Sequence, residues 1–209
     1  EADTHIPLDD ESVDFVNCQG VLMHTSSPGE ILKEFYRVLN KKRKDSPNAS
    51  IMVYNKDSIW YHLYAAYFLR FIDNTYLTDF EFQETQTLDV DEVFKRSTDT
   101  VHCPKAACFS IDEFSKMCSR AGFSKVDYRG GYPNSLEPGI ARRYLKIALN
   151  DERLEDEHKE FLKEVTYDEK GYPMWGGKIL LYWRNISIMG LIFEKNIITL
   201  INGKWRHAK

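Results

Sequence analysis

The chain has 209 residues, 43% of them hydrophobic and 13% aromatic, so it can bury a substantial core and is not a disordered tail. Its formal net charge of -4, with both signs mixed along the chain, does not resemble the basic surface of a nucleic-acid-binding protein. Its four scattered cysteines favour a reducing, cytoplasmic compartment, and the lack of any long uncharged apolar run argues against a membrane span.

The first quarter of the chain predicts a strand, a helix and a second strand. Residues 13–18 and 51–54 are apolar runs typical of a parallel sheet that is covered on both faces. Between them, Ser27 is a predicted N-cap, Pro28 occupies the first helical position, and Glu30 can close a capping box. The helix carries an apolar face, as packing on a sheet requires. This face consists of Ile31, Leu32, Phe35, Val38 and Leu39.

The middle of the chain predicts an aromatic helix followed by a long loop. The helix begins at Asp57 or Ser58 and extends to about residue 72. It is apolar nearly all round, so more than one side must be covered. Residues 73–109 are polar and are predicted as a long ordered loop, a class that is often functional.

A second helix with clear end signals follows this loop. Ser110 and Glu113 form a capping box, and Gly122 ends the helix with an apolar contact from Phe123. The alternating residues 124–129 predict a short strand.

The remaining elements are predicted with less detail. Helices are predicted over about 138–149 and 153–165, the second highly charged and mostly exposed, and residues 178–183 predict a strand. The apolar runs 188–193 and 196–201 form either a hairpin around Glu194 to Asn196 or an extended edge of the sheet.

Several short motifs follow one another in a familiar order near the start of the chain. They are Asp3-Thr4, Ile6-Pro7-Leu8, Val13-Asp14-Phe15-Val16, Val21-Leu22-Met23-His24 and Arg37-Val38-Leu39. Their order resembles the second half of the Rossmann-like domain of class I S-adenosylmethionine-dependent methyltransferases, especially the small-molecule type 11 group. The close match covers about residues 2–55, and residues 109–129 fit a later helix and strand of that family.

The resemblance implies an α/β fold with a Rossmann-like parallel sheet and helices on both faces. We expect residues 1–209 to form a single domain, with 55–109 and 131–177 as insertions or substrate-side elements and with late antiparallel strands. The family's glycine-rich loop, and the acidic residue after its second strand, would lie upstream of Glu1. We therefore expect the chain to be the C-terminal part of a longer protein, inactive by itself and very weak or inert toward S-adenosylmethionine.

The resemblance also implies a cofactor site. Asp3 corresponds to the family's acceptor for the adenine amino group, and the backbone N–H of Thr4 to the donor for a ring nitrogen. Cys18, Gln19 and Gly20 end the first strand, where open parallel sheets bind ligands, and the family places the methionine part of the cofactor there. The alternatives are an exposed acid near a terminus for Asp3 and an ordinary turn after the strand for the other three.

Candidate catalytic residues are two histidines and a tyrosine. A general base at His24 competes with a packing role at the start of the helix, which we favour. Tyr61 and His62 could remove a proton from a nucleophile, or their helix could be core or an oligomer interface. The candidate substrate-binding residues are Tyr54, Asn55, Tyr64, Arg96 and His102.

The sequence does not predict a metal site. Near His102 stand Cys103 and Cys108, but a zinc site needs a second close pair of ligands.

The leading hypothesis is transfer of a methyl group from S-adenosylmethionine to a small-molecule acceptor whose nucleophilic atom is undetermined. A methyltransferase-like binding or scaffold module without turnover is the alternative. A nicotinamide dehydrogenase fits less well, because its nucleotide signature is also absent. Nothing in the sequence indicates the oligomeric state.

Overall fold

The structure is a computed structural model that describes residues 4–42, 49–73, 86–100, 102–128, 136–169, 173–175, 178–179, 197–201 and 204–207. The chain divides into two compact units. Unit 1 comprises Glu1–Tyr54, Phe109–Arg129 and Asn185–Lys209, and unit 2 comprises Asn55–Cys108 and Gly130–Arg184.

The described strands and helices follow in chain order. The strands are β1 (Phe15–Gln19), β2 (Ala49–Met52), β3 (Tyr54–Asn55), β4 (Cys108–Phe109), β5 (Thr166–Tyr167), β6 (Pro173–Trp175), β7 (Lys178–Ile179), β8 (Ile197–Ile201) and β9 (Lys204–His207). The helices are α1 (Pro28–Val38), α2 (Leu69–Phe71), α3 (Val90–Asp99), α4 (Ile111–Ala121), α5 (Leu136–Asn150) and α6 (Asp156–Lys163). Leu22–His24 form a 3-10 turn, and Trp60–Phe68 form a π-helical segment that continues into α2.

Unit 1 contains a four-stranded sheet in the order β2-β1-β8-β9. Strand β1 pairs in parallel with β2, where Cys18 lies opposite Ile51, and in parallel with β8, while β9 is antiparallel to β8. Helix α1 connects β1 to β2 as the predicted crossover, with Ile31 and Phe35 fully buried. The sheet and helices form a partial Rossmann-like α/β fold, which confirms the predicted fold class.

Helices α1 and α4 pack against each other in unit 1. The capping box of Ser110 and Glu113 is present in both directions, as predicted. Gly122 ends α4 with a φ of 110°, and the neighbouring Phe123 ring contacts Tyr36 on α1 at 5.4 Å between centroids. The predicted cap of α1 differs, because Ser27 makes no side-chain hydrogen bond to the helix.

The strand predicted over 124–129 is not a strand within the described residues 124–128. Instead, this segment packs back on α4. The hydroxyl of Tyr128 donates to the carbonyl of Ile111 at 3.2 Å and also contacts the Ser115 hydroxyl. The alternating pattern therefore does not lead to pairing in a sheet here, and Tyr128 contacts a helix instead.

Unit 2 is built around the aromatic helix, which we define as Trp60–Phe71. The predicted N-cap is present, since Ser58 Oγ accepts the backbone N–H of Tyr61 at 3.1 Å. Helices α3, α5 and α6 contact the π-helical part of this helix. Because these three helices cover the aromatic helix on several sides, most of its residues are buried, including Leu63 and Tyr67 at 0% exposure.

The prediction of a long loop over 73–109 is wrong where α3 forms. Asp89 caps this helix by accepting the N–H of Glu92 at 2.7 Å, and Val93 and Phe94 bury its apolar face. The sequence contains the cap residue and the apolar spacing of this helix. They were overlooked because the surrounding residues are polar.

The later predictions have mixed outcomes. Helices α5 and α6 lie where helices were predicted, and β7 covers the start of the strand predicted over 178–183. The rest of that strand and the turn at 194–196 lie outside the described residues. Strand β9 was not predicted. No helix in the described part of the chain has the length and apolar character to cross a membrane.

Candidate functional site

The turn after β1 is the first part of the candidate site. Gly20 has a φ of 68°, a region that favours glycine, and its N–H donates to the carbonyl of Met52 at 3.2 Å. A Cβ at this position would lie 2.9 Å from the end of the Met52 side chain. The chain therefore leaves the sheet through a close backbone approach that only glycine makes without strain.

Cys18 and Gln19 differ in what they expose at this turn. The Cys18 side chain is fully buried, and burial raises the pKa of its thiol to about 12. Gln19 is exposed, and its amide donates to Asn17 Oδ1 at 2.8 Å and to Ser50 Oγ at 3.1 Å. A ligand at this edge can meet the Gln19 side chain and the backbone around it, but not the Cys18 thiol.

The segment before β1 carries the predicted adenine contacts. Asp3 lies outside the described residues, and Thr4 is half-buried. Directly after Thr4, the chain is held against α1 by the side chains of Glu34 and Arg37. Sequence reasoning missed both of these residues, although each lies one helical turn from the other in a pattern typical of an ion pair.

His24 lies at the end of the 3-10 turn and is half-buried. Its ring meets the Tyr54 ring edge to face, with 5.9 Å between centroids and 86° between planes. Tyr54 is 6% exposed. This packing accords with the supporting role that we favour for His24.

In unit 2, Tyr61 is buried and its hydroxyl donates to Asp91 Oδ1 at 2.7 Å. Burial and this carboxylate raise the pKa of Tyr61 far above its usual range, so the hydroxyl stays protonated at neutral pH. Tyr61 can therefore orient or donate, but it cannot serve as a base without a large change of environment. Asp91 also lines a cavity of about 300 Å³ together with Lys95, Lys105 and Cys108.

His62 belongs to a cluster that we call the histidine pair, His62 and His158. Their Nδ1 atoms lie 2.9 Å apart, and His62 stacks on Phe161 with 4.0 Å between ring centroids. Burial, together with the neighbouring His158 and Lys56, lowers the pKa of His62 to about 3, and burial also lowers the pKa of His158. Both imidazoles are consequently neutral at pH 7.

The distance within the histidine pair requires one donor and one acceptor. His158 is 1% exposed, and its Nε2 lies 3.5 Å from a carboxylate oxygen of Glu157. A proton on that Nε2 leaves His158 Nδ1 as the acceptor and His62 Nδ1 as the donor. In this arrangement His62 Nε2, which has no hydrogen-bond partner among the described residues, carries the free lone pair.

The other predicted substrate residues are placed in different settings. Tyr64 is 2% exposed and lies between the Trp60 and Phe68 rings of its own helix. The Asn55 side chain bonds the backbone of Asp57 in a local turn. Arg96 pairs with Glu92 on α3, and His102 is exposed.

Sequence reasoning missed His158, although a signal for it exists. The charged segment 153–165 was predicted to be mostly exposed, yet Leu154, His158 and Leu162 are spaced four residues apart and are buried. This spacing defines one face of a helix, so a histidine inside an apolar stripe was visible.

The parallel crossover and the glycine turn after β1 are features of Rossmann-like α/β proteins, in which ligands bind at the carboxyl ends of the strands. Residues 1–42 match the family described as "Methyltransferase domain". This match confirms, over that segment, the resemblance to class I S-adenosylmethionine-dependent methyltransferases predicted from the motifs.

The solved structures to which the chain is similar include a methyltransferase. This is a SAM-dependent methyltransferase from Thermotoga maritima, described as a "possible histamine N-methyltransferase", with 21% sequence identity and a TM-score of 0.35. The match covers 63% of this chain and 49% of that chain, so this chain spans about half the length of that protein. No curated protein matches the chain.

Proposed function

We propose that the full-length protein transfers a methyl group from S-adenosylmethionine to a small-molecule acceptor, with an O, N, S or C nucleophile. The observation that carries this proposal is the match of residues 1–42 to the methyltransferase domain family. The turn at Gly20 supports it, because this is where a ligand of such a sheet would approach the backbone. We also propose a cytoplasmic location, on the basis of cysteine usage.

In this proposal the cofactor lies along unit 1. Asp3 accepts a hydrogen bond from the adenine amino group, and the Thr4 N–H donates to a ring nitrogen. The backbone of Cys18 and Gly20, with the Gln19 side chain, adjoins the methionine part. When bound, S-adenosylmethionine supplies an activated methyl group and its own leaving group, so the protein mainly has to align the acceptor.

We propose that Tyr54 and the residues at the start of the aromatic helix handle the acceptor. His62 is the proposed base, because its Nε2 carries the free lone pair when His158 holds the other nitrogen. Its pKa of about 3 makes it a weak base in this state, so a bound acceptor must raise that pKa before His62 can take a proton. Tyr61, fixed by Asp91, orients the acceptor as a hydrogen-bond donor. His24 supports the Tyr54 ring.

The remaining predicted residues have smaller parts in the proposal. Arg96 and His102 do not line the 300 Å³ cavity but are close in sequence to residues that do, and they are proposed to contact the acceptor. Asn55 shapes the turn after β3 through its bonds to Asp57, and Tyr64 contributes packing.

A non-catalytic binding or scaffold module is the second candidate. The burial of Tyr64 at 2% exposure favours it, since a buried tyrosine is not available to contact an acceptor. Under this alternative, the fold would bind a ligand without turnover.

Calorimetry on the full-length protein tests cofactor binding. We expect S-adenosylmethionine to bind and Asp3→Ala to weaken binding by about 1–3 kcal/mol, the usual loss for a buried hydrogen-bond partner. Glu160→Ala is the control, because Glu160 is an exposed acid on α6 and lies outside this segment. Wild-type protein that does not bind S-adenosylmethionine would contradict the proposal, and equal affinity for Asp3→Ala would remove Asp3 from the adenine site.

Turnover separates the enzyme from the scaffold. Thermal-shift screening of acceptors in the presence of cofactor selects candidates, and formation of S-adenosylhomocysteine is then followed. We expect His62→Gln, which keeps a polar group beside His158, to reduce turnover by about 10² to 10⁴ while cofactor affinity is retained. Cofactor binding without turnover on any selected acceptor would favour the scaffold.

A further inference from the structure

The guanidinium of Arg37 holds the segment that follows Thr4. Nη2 donates to the carbonyl of Ile6 at 2.8 Å, and Nη1 donates to the carbonyl of Leu8 at 2.8 Å and to Asp10 Oδ1 at 2.7 Å. One side chain on α1 thus binds three points of a segment about 30 positions earlier in the sequence.

Glu34 completes the attachment from the same helix. Its Oε2 accepts the backbone N–H of Ile6 at 3.0 Å, and its two oxygens accept from Nε and Nη2 of Arg37 at 2.8 Å each. His5 Nδ1 lies 3.1 Å from the same carboxylate. Ile6 therefore has both its N–H and its carbonyl bound by the Glu34–Arg37 pair, and its own side chain is fully buried.

The segment needs external support because it has little of its own. Residues 4–12 form no helix and no strand. A tight turn joins the Leu8 N–H to the Ile6 carbonyl at 2.7 Å across Pro7, which has no N–H to offer. Glu11 has a φ of 54°, which costs energy for a residue with a Cβ. Such a backbone keeps one conformation only when its surroundings hold it there.

We propose that Arg37 and Glu34 are positioning residues for the cofactor, which fix the segment His5–Asp10 and thereby the Thr4 backbone at the adenine site. This inference rests on the proposed function. The pair touches no part of the cofactor itself, and its effect is to remove the free energy that ordering the segment would otherwise take from binding.

The chemistry of the pair explains why arginine is required. The planar guanidinium reaches two carbonyls and two carboxylates at once through fixed donors. A lysine has a single charged nitrogen, so it can retain the Glu34 contact but cannot span Ile6 and Leu8 together. The pair is also partly shielded, with side-chain exposures of 25% for Arg37 and 19% for Glu34, so water competes only in part.

Binding of three probes to the full-length protein tests the proposal. We measure dissociation constants for S-adenosylmethionine, S-adenosylhomocysteine and adenosine well below the unfolding temperature. Because all three contain adenine, Arg37→Met should weaken all of them by a similar factor of about ten. Arg37→Lys should give an intermediate loss. Lys33→Met is the matched control, since Lys33 is a cation on α1 that pairs with Glu30 and not with the segment.

Hydrogen exchange at the Ile6 amide is the second measurement. Glu34→Gln weakens and Glu34→Ala removes the acceptor of this N–H, so exchange should accelerate in that order while the amides of β1 remain protected. This readout needs only folded protein and does not depend on ligand binding.

The outcomes distinguish the two proposals. Wild-type protein that binds none of the three probes refutes the proposed function, and the positioning role with it. If wild type binds and folded Arg37→Met binds all three equally well, only the positioning role is overturned. A loss confined to S-adenosylmethionine, with adenosine unaffected, would also overturn it.

Discussion

The Nδ1 atoms of His62 and His158 face each other at 2.9 Å inside unit 2, so this contact is compatible with one proton between them and not with two. Charges of both signs surround the pair. Lys56 and Arg70 oppose protonation of His158, whereas Glu155 and Glu157 favour it, and burial outweighs the carboxylates so that the pKa of His158 is lowered.

The first prediction is a loss of stability in mild acid. The unfolded histidines titrate near pH 6.5, while the folded pKa of His62 is about 3, so the unfolded chain binds more protons between these values. Stability therefore rises with pH across this window and falls as the pH drops below about 6.5. The slope should approach about 1.4 kcal/mol per pH unit for His62, and His158 should add to it in the same direction.

Urea unfolding between pH 7.5 and 5 measures this slope, above the range in which most carboxylates titrate. In the His62→Gln/His158→Gln double variant, the pH dependence over this interval should become nearly flat. An unchanged slope in that variant would show that other groups are responsible.

A second prediction compares three glycines. Gly20→Ala should cost about 1–2 kcal/mol, because φ is positive but the Met52 side-chain end can move. Gly122→Ala should cost more, since its Cβ would lie 2.7 Å from the Tyr36 ring, which is packed against Phe123.

Gly139→Ala is the control for these two substitutions. Gly139 lies in α5 with no atom within 4 Å of its Cβ position, so alanine should stabilise the helix by up to about 1 kcal/mol. Chemical denaturation ranks the three variants. Equal costs at Gly20 and Gly122 would be inconsistent with the rigid contact at Tyr36.

The third prediction concerns two serines with the same sequence signature. Ser110→Ala should cost about 1 kcal/mol, because both bonds of its capping box are present. Ser27→Ala should change stability by less than about 0.5 kcal/mol, because Ser27 makes no side-chain cap bond. Thermal unfolding of the two variants decides the matter, and a larger loss for Ser27→Ala would show that the cap forms in solution.

The local parts of this fold follow from sequence periodicity and end signals. The crossover around α1 and the cap of α4 were predicted because they depend on residues within a few turns of one another. Helix α3 was missed because its cap at Asp89 stands within a polar stretch that lacks a strong apolar run.

The contacts that define the candidate site depend on distant residues and could not be predicted in the same way. The approach of His158 to His62 joins positions 96 apart, and the attachment of Ile6 to Arg37 joins positions 31 apart. The apolar periodicity of the sequence indicates that His158 is buried, but it does not indicate which side chain His158 contacts. The candidate role of His62 depends on that contact, because the tautomer of each ring is tied to that of the other.

The parallel pairing of β1 with β8 has a consequence for how the protein is made. Phe15 lies opposite Ile197, so these strands are separated by about 180 residues of chain. During synthesis β1 can pair with β2 early, whereas its pairing with β8 must wait until residues 197–201 leave the ribosome. Non-local pairing of this kind is slow. Synthesis that stops before residue 197 should therefore leave β1 without the partner that β8 provides.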